Sequence, residues 1–502
     1  MFQRIKQEIK TVTNPIPNSE KVEIPISQDL EANILYFKKE LGKSFDILYK
    51  PIQINGYKSV FIMDDGMCNN FLVTQQVVEP ILKENFSSKS PCEAMQKIRD
   101  CISTGIDQKE VHTLEEAIKE TVSGLVIVMM EGVPFAECFG VQGFPKRSIQ
   151  NAQTEVQEQG AQEAFIESFK DNVALLRRRI RSPKLRFDVM EVGTTSQTRV
   201  CISYLADRMS AETIESIKEK IKNAQLDVVL GSGYLRPFLE TKVTTLFSSV
   251  GTTERPDIAC AEMAEGRAVI LVDGTPLALI VPYLFIENFQ SLDDYEHRPY
   301  YATFIRILKI LSFFLSMFLP GLYVAAFTFH QEILPTAILY DTAVQESITP
   351  FPVMVEAIFI HFVYEIVREA GIRMPKSVGH AVSIVGALVI GDAAVSAGLI
   401  AAPMLIVVAM TAISSFVVSK VYYPVSILRF LFMIVGGTLG FYGIIIGFGV
   451  LLVNLCAMES LGTPFLAPLA PFHFGAMIRD SLVRISWKKL GKRELQINKL
   501  KK

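Results

Sequence analysis

The stretch GLVIVMMEGVPFAECF (124–139) has a second version, GRAVILVDGTPLALIV (266–281). Aligned, Gly124 meets Gly266, Glu131 meets Asp273, Gly132 meets Gly274 and Pro134 meets Pro276. Each reads as an apolar β-rich run, an acidic-Gly turn and a second strand, which is a hairpin signature. Helix-like stretches precede both, TLEEAIKETVS (113–123) and PDIACAEMAE (256–265). The first opens on Thr113 as N-cap with Glu116 three residues on, a capping box. The combined spacing predicts two related α/β subdomains rather than two independent ligand sites.

Working outward, residues 28–300 alternate strand-like and helix-like segments, such as YKSVFIMDDG (57–66), a strand entering a turn. A polar helical stretch near 150–169 marks the boundary, giving subdomains at 28–160 and 161–300. Residues 1–27 are polar, carry Pro15, Pro17 and Pro25, and read as a flexible arm without a cleavable secretory signal. Arg177, Arg178, Arg179 and Arg181 cluster before Pro183. They read as a solvated helix face, with anionic lipid or a neighbouring subunit as the alternative contact. No P-loop, GxGxxG, GxSxG or HExxH motif is present, so the expectation is a protein that is not an enzyme, with no cofactor and no metal. The formal net charge of −2 and the lack of a basic stripe point away from nucleic acid. Seven scattered cysteines read as free thiols.

The charge distribution is uneven: residues 301–460 hold only 7 of the 50 Lys and Arg. This region, 301–458, reads as an α-helical multi-pass membrane domain. ILKILSFFLSMFLPGLYVAAFTF (307–329) is long enough to cross ~30 Å of hydrocarbon, with a kink expected at Pro320-Gly321. HQEILPTAILYDTAVQESITP (330–350) has no Lys or Arg and so is placed outside, while Arg368, Arg373 and Lys376 mark the inner side. Residues 382–420 fit two spans joined near 397–403. Residues 425–458 are too long for one span, and Arg429 and the basic tail both lie inside, so a tight hairpin or a span plus a re-entrant piece is expected. Residues 459–502 read as an interfacial segment, broken by Pro464, Pro468 and Pro471, and a basic cytosolic tail.

The charged apolar segment PFPVMVEAIFIHFVYEIVREAGIRMP (350–375) has two faces. At 100° per residue, Ile360, Val363 and Val367 align with Glu356, while His361, Glu365, Arg368 and Glu369 fall opposite. Glu356, Ile360, Val363 and Val367 are the candidate ion pathway and gate, a carboxylate above an apolar constriction that blocks flow by dewetting. His361, Glu365, Arg368, Glu369, Asp392 and Arg429 are candidate polar contacts inside the bundle, with Glu365 paired to Arg368 or Arg429. A metal site on His361 and Glu365 has too few ligands.

Several motifs resemble the GerA-type spore germination receptor A subunit. They include RSPKL (181–185), ERPD (254–257), GRAVILVDGTPLALIVP (266–282), HQEILPTA (330–337), PFPVMVEA (350–357), EIVREAGIRMP (365–375), SIVGALVIGDAAVSAGL (383–399) and TAISSF (411–416). Asp392 and Ala387 depart from the family pattern. The resemblance implies a receptor subunit in the endospore inner membrane, with its N-terminal domain and tail on the spore-core side. It implies a transporter-like B subunit that senses the nutrient, a lipoprotein C subunit, and a homo-oligomer that releases cations through a central pore. A SpoVAF-type spore membrane protein is the alternative within the superfamily. A secondary transporter working through broken helices, or a non-conducting scaffold, is the alternative by class.

Overall fold

The structure, a computed structural model, describes residues 23–83, 88, 90–102, 105–143, 152, 155, 157, 160–240, 244–374, 391–472 and 480–486. Arm residues 1–22, residues 375–390 with Lys376 and Ala387, and the tail from 487 lie outside them. The end of the arm is part of the fold: Ile26 N donates to His112 O, and Leu114 N to Ile24 O, at 2.9 Å each.

Two five-stranded antiparallel sheets are built to one plan. The first comprises β1 (Ile47–Ile54), β2 (Tyr57–Asp64), β3 (Asp107–Val111), β4 (Val126–Met130) and β5 (Ala136–Gly140), in the order β1-β2-β4-β5-β3. The second comprises β6 (Leu185–Val192), β7 (Thr198–Leu205), β8 (Gly251–Thr253), β9 (Ala268–Val272) and β10 (Ala278–Val281), in the order β6-β7-β9-β10-β8. The paired segments of the sequence form β4–β5 and β9–β10. Strands β4 and β9 are buried on both faces, which is why VIVMM and AVILV are continuous apolar runs rather than alternating ones.

Helices α1 (Leu30–Leu41) and α2 (Leu114–Val122) cover one face of the first sheet; α3 (Phe169–Arg179) and α4 (Pro256–Ala264) cover the equivalent face of the second. The repeat extends to single hydrogen bonds. Leu30 N donates to Glu131 Oε2 and Phe169 N to Asp273 Oδ1, so the acidic turn residue caps the first helix of each unit. Gly132 N reaches Gln28 O, and Gly274 N reaches Glu167 O. Asn33 holds both backbone groups of Ser27, and Asn172 holds both of Ile166. Thr113 accepts from Glu116 N at 3.4 Å.

Within the arginine cluster, Arg177 does not lie on a solvated face, whereas Arg181 is exposed. Arg177 is fully buried between the subdomains, 2.7 Å from Asp46 and 3.4 Å from Asp64, and it also donates to the carbonyls of Ser182 and Leu185. Arg178 and Arg179 both hold Glu163. Burying a guanidinium requires paired charge and filled hydrogen bonds; the far subdomain supplies the carboxylates, and the turn after its own helix supplies the carbonyls.

Beyond the sheets lies a helical bundle: α5 (Pro299–Phe329), α6 (Val353–Arg373), α7 (Ala402–Val417) and α8 (Tyr422–Cys456). A shorter helix, Thr336–Glu346, occupies the segment read as an outer loop. Helix α5 runs unbroken through Pro320. Gly321 serves close packing instead: a Cβ there would lie 2.6 Å from Phe432 O, and one at Gly436 would lie 2.5 Å from Gly321 O.

Helix α8 is two helices. Gly440 breaks it with φ 61 and ψ −153. A Cβ at Gly447 would lie 2.9 Å from the Phe432 ring, whereas a straight helix would separate these positions by ~22 Å. The arms 422–439 and 441–456 therefore double back. Both ends lie against subdomain 2: Lys420, just before α8, is 3.8 Å from Glu155, whose carboxylate accepts from Thr253 Oγ1 and Glu254 N of subdomain 2, and Asn454 donates to Thr244 O at 2.9 Å. The tip meets the far end of α5, where His330 stacks on Phe441 at 4.8 Å.

The segment after α8 docks into subdomain 2. Phe465 and Ala467 are fully buried, Phe285 N donates to Phe465 O, and Ser460 bridges Ser249 O and Tyr283 N.

Candidate functional site in the helical bundle

Helix α6 carries the candidate residues. It enters at the far end of the bundle, where Met354 contacts Gly437, and returns toward the sheets, where Glu365 meets Tyr422. Pro352 precedes its first residue and fixes an extended entry.

Glu356, in the first turn, is only 1% exposed. Its Oε1 accepts from Ala401 N at 2.6 Å, at the start of α7. A carboxylate there complements the unpaired N–H groups and positive end of that helix. Its second oxygen has no hydrogen-bond partner among the described residues. Ile360 is buried beside it, with Ala357, Val324, Met404 and Met433. The structure therefore does not bring the four candidate gate residues together on an outer face. Glu356 and Ile360 point into the protomer, while Val363 and Val367 are half-buried. Helical periodicity placed them on one side but could not say which side faces the neighbouring helices. The outer face is Val355, Phe359, Phe362 and Ile366, all exposed and all apolar.

The candidate polar contacts divide. Glu365 accepts from both Tyr422 Oη, at 2.7 and 2.8 Å, and Ser426 Oγ, at 2.5 Å, and lies 3.4 Å from Arg429 and 3.7 Å from Arg368. Arg368 sits over the Tyr422 ring, 3.4 Å from its centre. Arg429 is fully buried and donates from Nε to Ser316 O at 2.9 Å, so one arginine joins α5, α6 and α8. His361 is fully buried, with Nδ1 2.9 Å from Ala357 O. Glu369 is not a bundle contact; it pairs with Arg373 at 2.6 Å on an exposed surface. Asp392 is exposed as well, because Gly391 and Ala394 take the inward positions of their turn.

Sequence reading missed Tyr422, Ser426 and Ser316. Their positions on two helices, α5 and α8, distant in sequence from Glu365, gave no local signal, although Tyr422 and Ser426 share a face at i, i+4.

A second buried network lies within subdomain 2, where it faces the base of the bundle. Arg267 pairs with Glu262 at 2.5 Å, with Glu265 at 2.7 Å and with Glu287. Burial pushes Glu287 up to about 8 against the opposing pull of Arg267. A polar pocket beside it is lined by Glu262, Glu287, Tyr283, Tyr295 and, from the base of the bundle, Lys420.

Among the described residues, two helices, Pro299–Phe329 and Ser419–Cys456, are long and apolar enough to cross a membrane. The family described as Bacillus/Clostridium GerA spore germination protein matches residues 35–496. Spore germination protein KA of Bacillus subtilis is 38% identical over 92% of this chain and 85% of its own length. Spore germination protein B1 of the same organism is 32% identical over 92% of this chain and 95% of its own. Stage V sporulation protein AF is 28% identical over 93% of this chain and 95% of its own. A crystal structure of the N-terminal domain of the A subunit of the Bacillus megaterium spore germinant receptor GerK3 aligns over 53% of this chain and 99% of that chain, at 24% identity and a TM-score of 0.42. With a family match over nearly the whole chain and relatives above 30% identity across both halves, the chain belongs to the GerA family of spore germination proteins.

Proposed function

We propose that the chain is a subunit of a spore germinant receptor, an oligomeric membrane channel gated by nutrient sensing in a partner subunit. It releases cations to start germination. The observation that carries this reading is α6, a charged apolar helix with its carboxylate clamped inside the protomer and an apolar outer face. The receptor reading is favoured over a SpoVAF-type role by the greater identity to protein KA, 38% against 28%.

The helices make a multi-pass domain in the endospore inner membrane. The folded-back α8 puts both of its ends beside subdomain 2, so the N-terminal domain and the tail share one side, the spore core. Copies of the chain pack through α6, and Val363 and Val367 narrow the shared path. A transporter-like B subunit takes the nutrient, and a lipoprotein C subunit completes the receptor. When the B subunit shifts the bundle, α6 turns, Glu356 leaves Ala401 N and moves toward the path, and the constriction wets. A ligand that drives this change must bind the open arrangement more tightly.

The test is germination without nutrient. Val363→Ala and Val367→Ala spores are expected to leave dormancy spontaneously, at a rate well above that of the parent. Normal dormancy in both variants, with the protein present at parental level, contradicts the gate.

A further inference from the structure

One short segment belongs to both the α/β base and the bundle. A single turn of 3-10 helix, Phe285–Phe289, carries Phe285, Phe289 and, between them, Glu287. Both rings pack edge-on against Phe313 of α5, at 5.7 and 5.5 Å between centres, and Phe285 also meets Phe465 at 5.9 Å. Glu287 serves subdomain 2 instead. It pairs with Arg267, just before β9, and its Oε2 accepts from Leu284 N at 3.2 Å, which closes the turn.

The charges around Arg267 do not balance. Its buried guanidinium meets three carboxylates: Glu262 at 2.5 Å, Glu265 at 2.7 Å and Glu287. Uncompensated charge in a closed site is expensive, and a retained proton relieves it. Glu287 is the deepest of the three, with a side chain 5% exposed against 18% for Glu262 and 11% for Glu265. Burial pushes it up to about 8 from an ordinary 4.5, despite Arg267.

The other ionisable groups nearby offer it no second cation. Lys420, on the bundle side of the pocket, lies 3.8 Å from Glu155. Arg306 and Lys309 of α5 hold Asp294 at 2.8 and 3.6 Å, and Arg306 lies 3.4 Å from Asp480. Burial keeps the phenols of Tyr283 and Tyr295 protonated. A cavity of about 50 Å³, lined by Glu262, Glu287 and these two tyrosines, is wide enough for water to bring and remove a proton.

We propose that Glu287 is a proton-operated latch between the α/β base and the helical bundle. Protonated, it lets the turn 285–289 stay folded beside Arg267 and hold Phe313. Ionised, it adds a third negative charge to one guanidinium, and it gains water only if the turn lifts. Phe285 and Phe289 ride on that turn, so the grip on α5 loosens with it. The step is the loss of one proton from the Glu287 carboxyl to water in the cavity, and no other bond forms or breaks. Because the folded site binds this proton more tightly than the unfolded chain does, the latch is complete at low pH and is lost as pH rises through about 8. It operates whether or not the bundle conducts ions.

Hydrogen exchange of the full chain in nanodiscs tests it, read as protection factors so that the intrinsic effect of pH cancels. Between pH 7 and 9, amides of residues 285–296 and of the first two turns of α5 should lose several-fold more protection than those of β7. Glu287→Gln keeps the shape of the side chain but cannot ionise, and should retain its pH 7 protection at pH 9. Glu262→Gln removes one competing charge at a partly exposed position and should do the same, which serves if Glu287→Gln does not fold. A turn in the parent that changes no more than β7 overturns the latch without either variant. A loss in the parent that either folded variant repeats in full overturns it too.

Discussion

The buried arginines are the residues on which the soluble half turns. Arg177 crosses between subdomains to Asp46 and Asp64. Replacing it with Met leaves two buried carboxylates without their cation, a loss of about 3–5 kcal/mol. The expected outcome is a lower melting temperature for the Arg177→Met protein in detergent, with limited proteolysis opening the joint before Phe169. The same site makes stability depend on pH. Burial and the neighbouring Asp46 push Asp64 up to about 8, from an ordinary 3.8. Between those values the folded chain keeps a proton that the unfolded chain has released. Stability from this group is therefore complete at low pH and is lost as pH rises toward 8. Burial pushes Glu137 up to about 7, which adds in the same direction. Melting temperature should fall between pH 5.5 and 8.5, and Asp64→Asn should flatten the fall. A profile that rises over this window contradicts the assignment.

Among the elements, the folded-back α8 depends on its glycines. Gly440 adopts φ 61, a conformation that penalises any side chain with a Cβ. Gly436 meets the backbone of Gly321. Gly436→Val should separate α5 from α8 and cost several kcal/mol, as overpacked helix contacts do. Gly449, whose Cβ would meet nothing within 4 Å, should accept Ala with little change. Comparing thermal stability of the two variants in detergent checks the contact.

How far the elements were legible follows from the range of the forces that set them. The repeat at Gly124 and Gly266 was readable because an apolar run and a Gly turn are local. So was the doubling back of 425–458, which was expected because basic residues near both ends, read as lying on one side, ask for an even number of passes. Arg177 was not readable: its partner Asp46 lies 131 residues away, and nothing in the local run separates a buried arginine from a solvated one. On α6, periodicity grouped Glu356 with Val363, but the absolute orientation comes from α5, α7 and α8. Ala401, the residue that draws Glu356 inward, is 45 residues on.

For the whole molecule, the two α/β units form the base and the helices rise from subdomain 2, locked there by Arg306 of α5 with Asp294 and by Phe465 against Phe285. The joint between the base and α5 and α8 is thus packed and charged rather than a loose linker. The channel claim is tested most directly by single-channel recording of the purified chain in planar bilayers, comparing the parent with Val363→Ala. The expected result is rare or no openings in the parent alone and discrete cation-carrying openings in the variant. Silent bilayers for both, with correctly folded and inserted protein, would contradict the claim that this chain forms the conducting path.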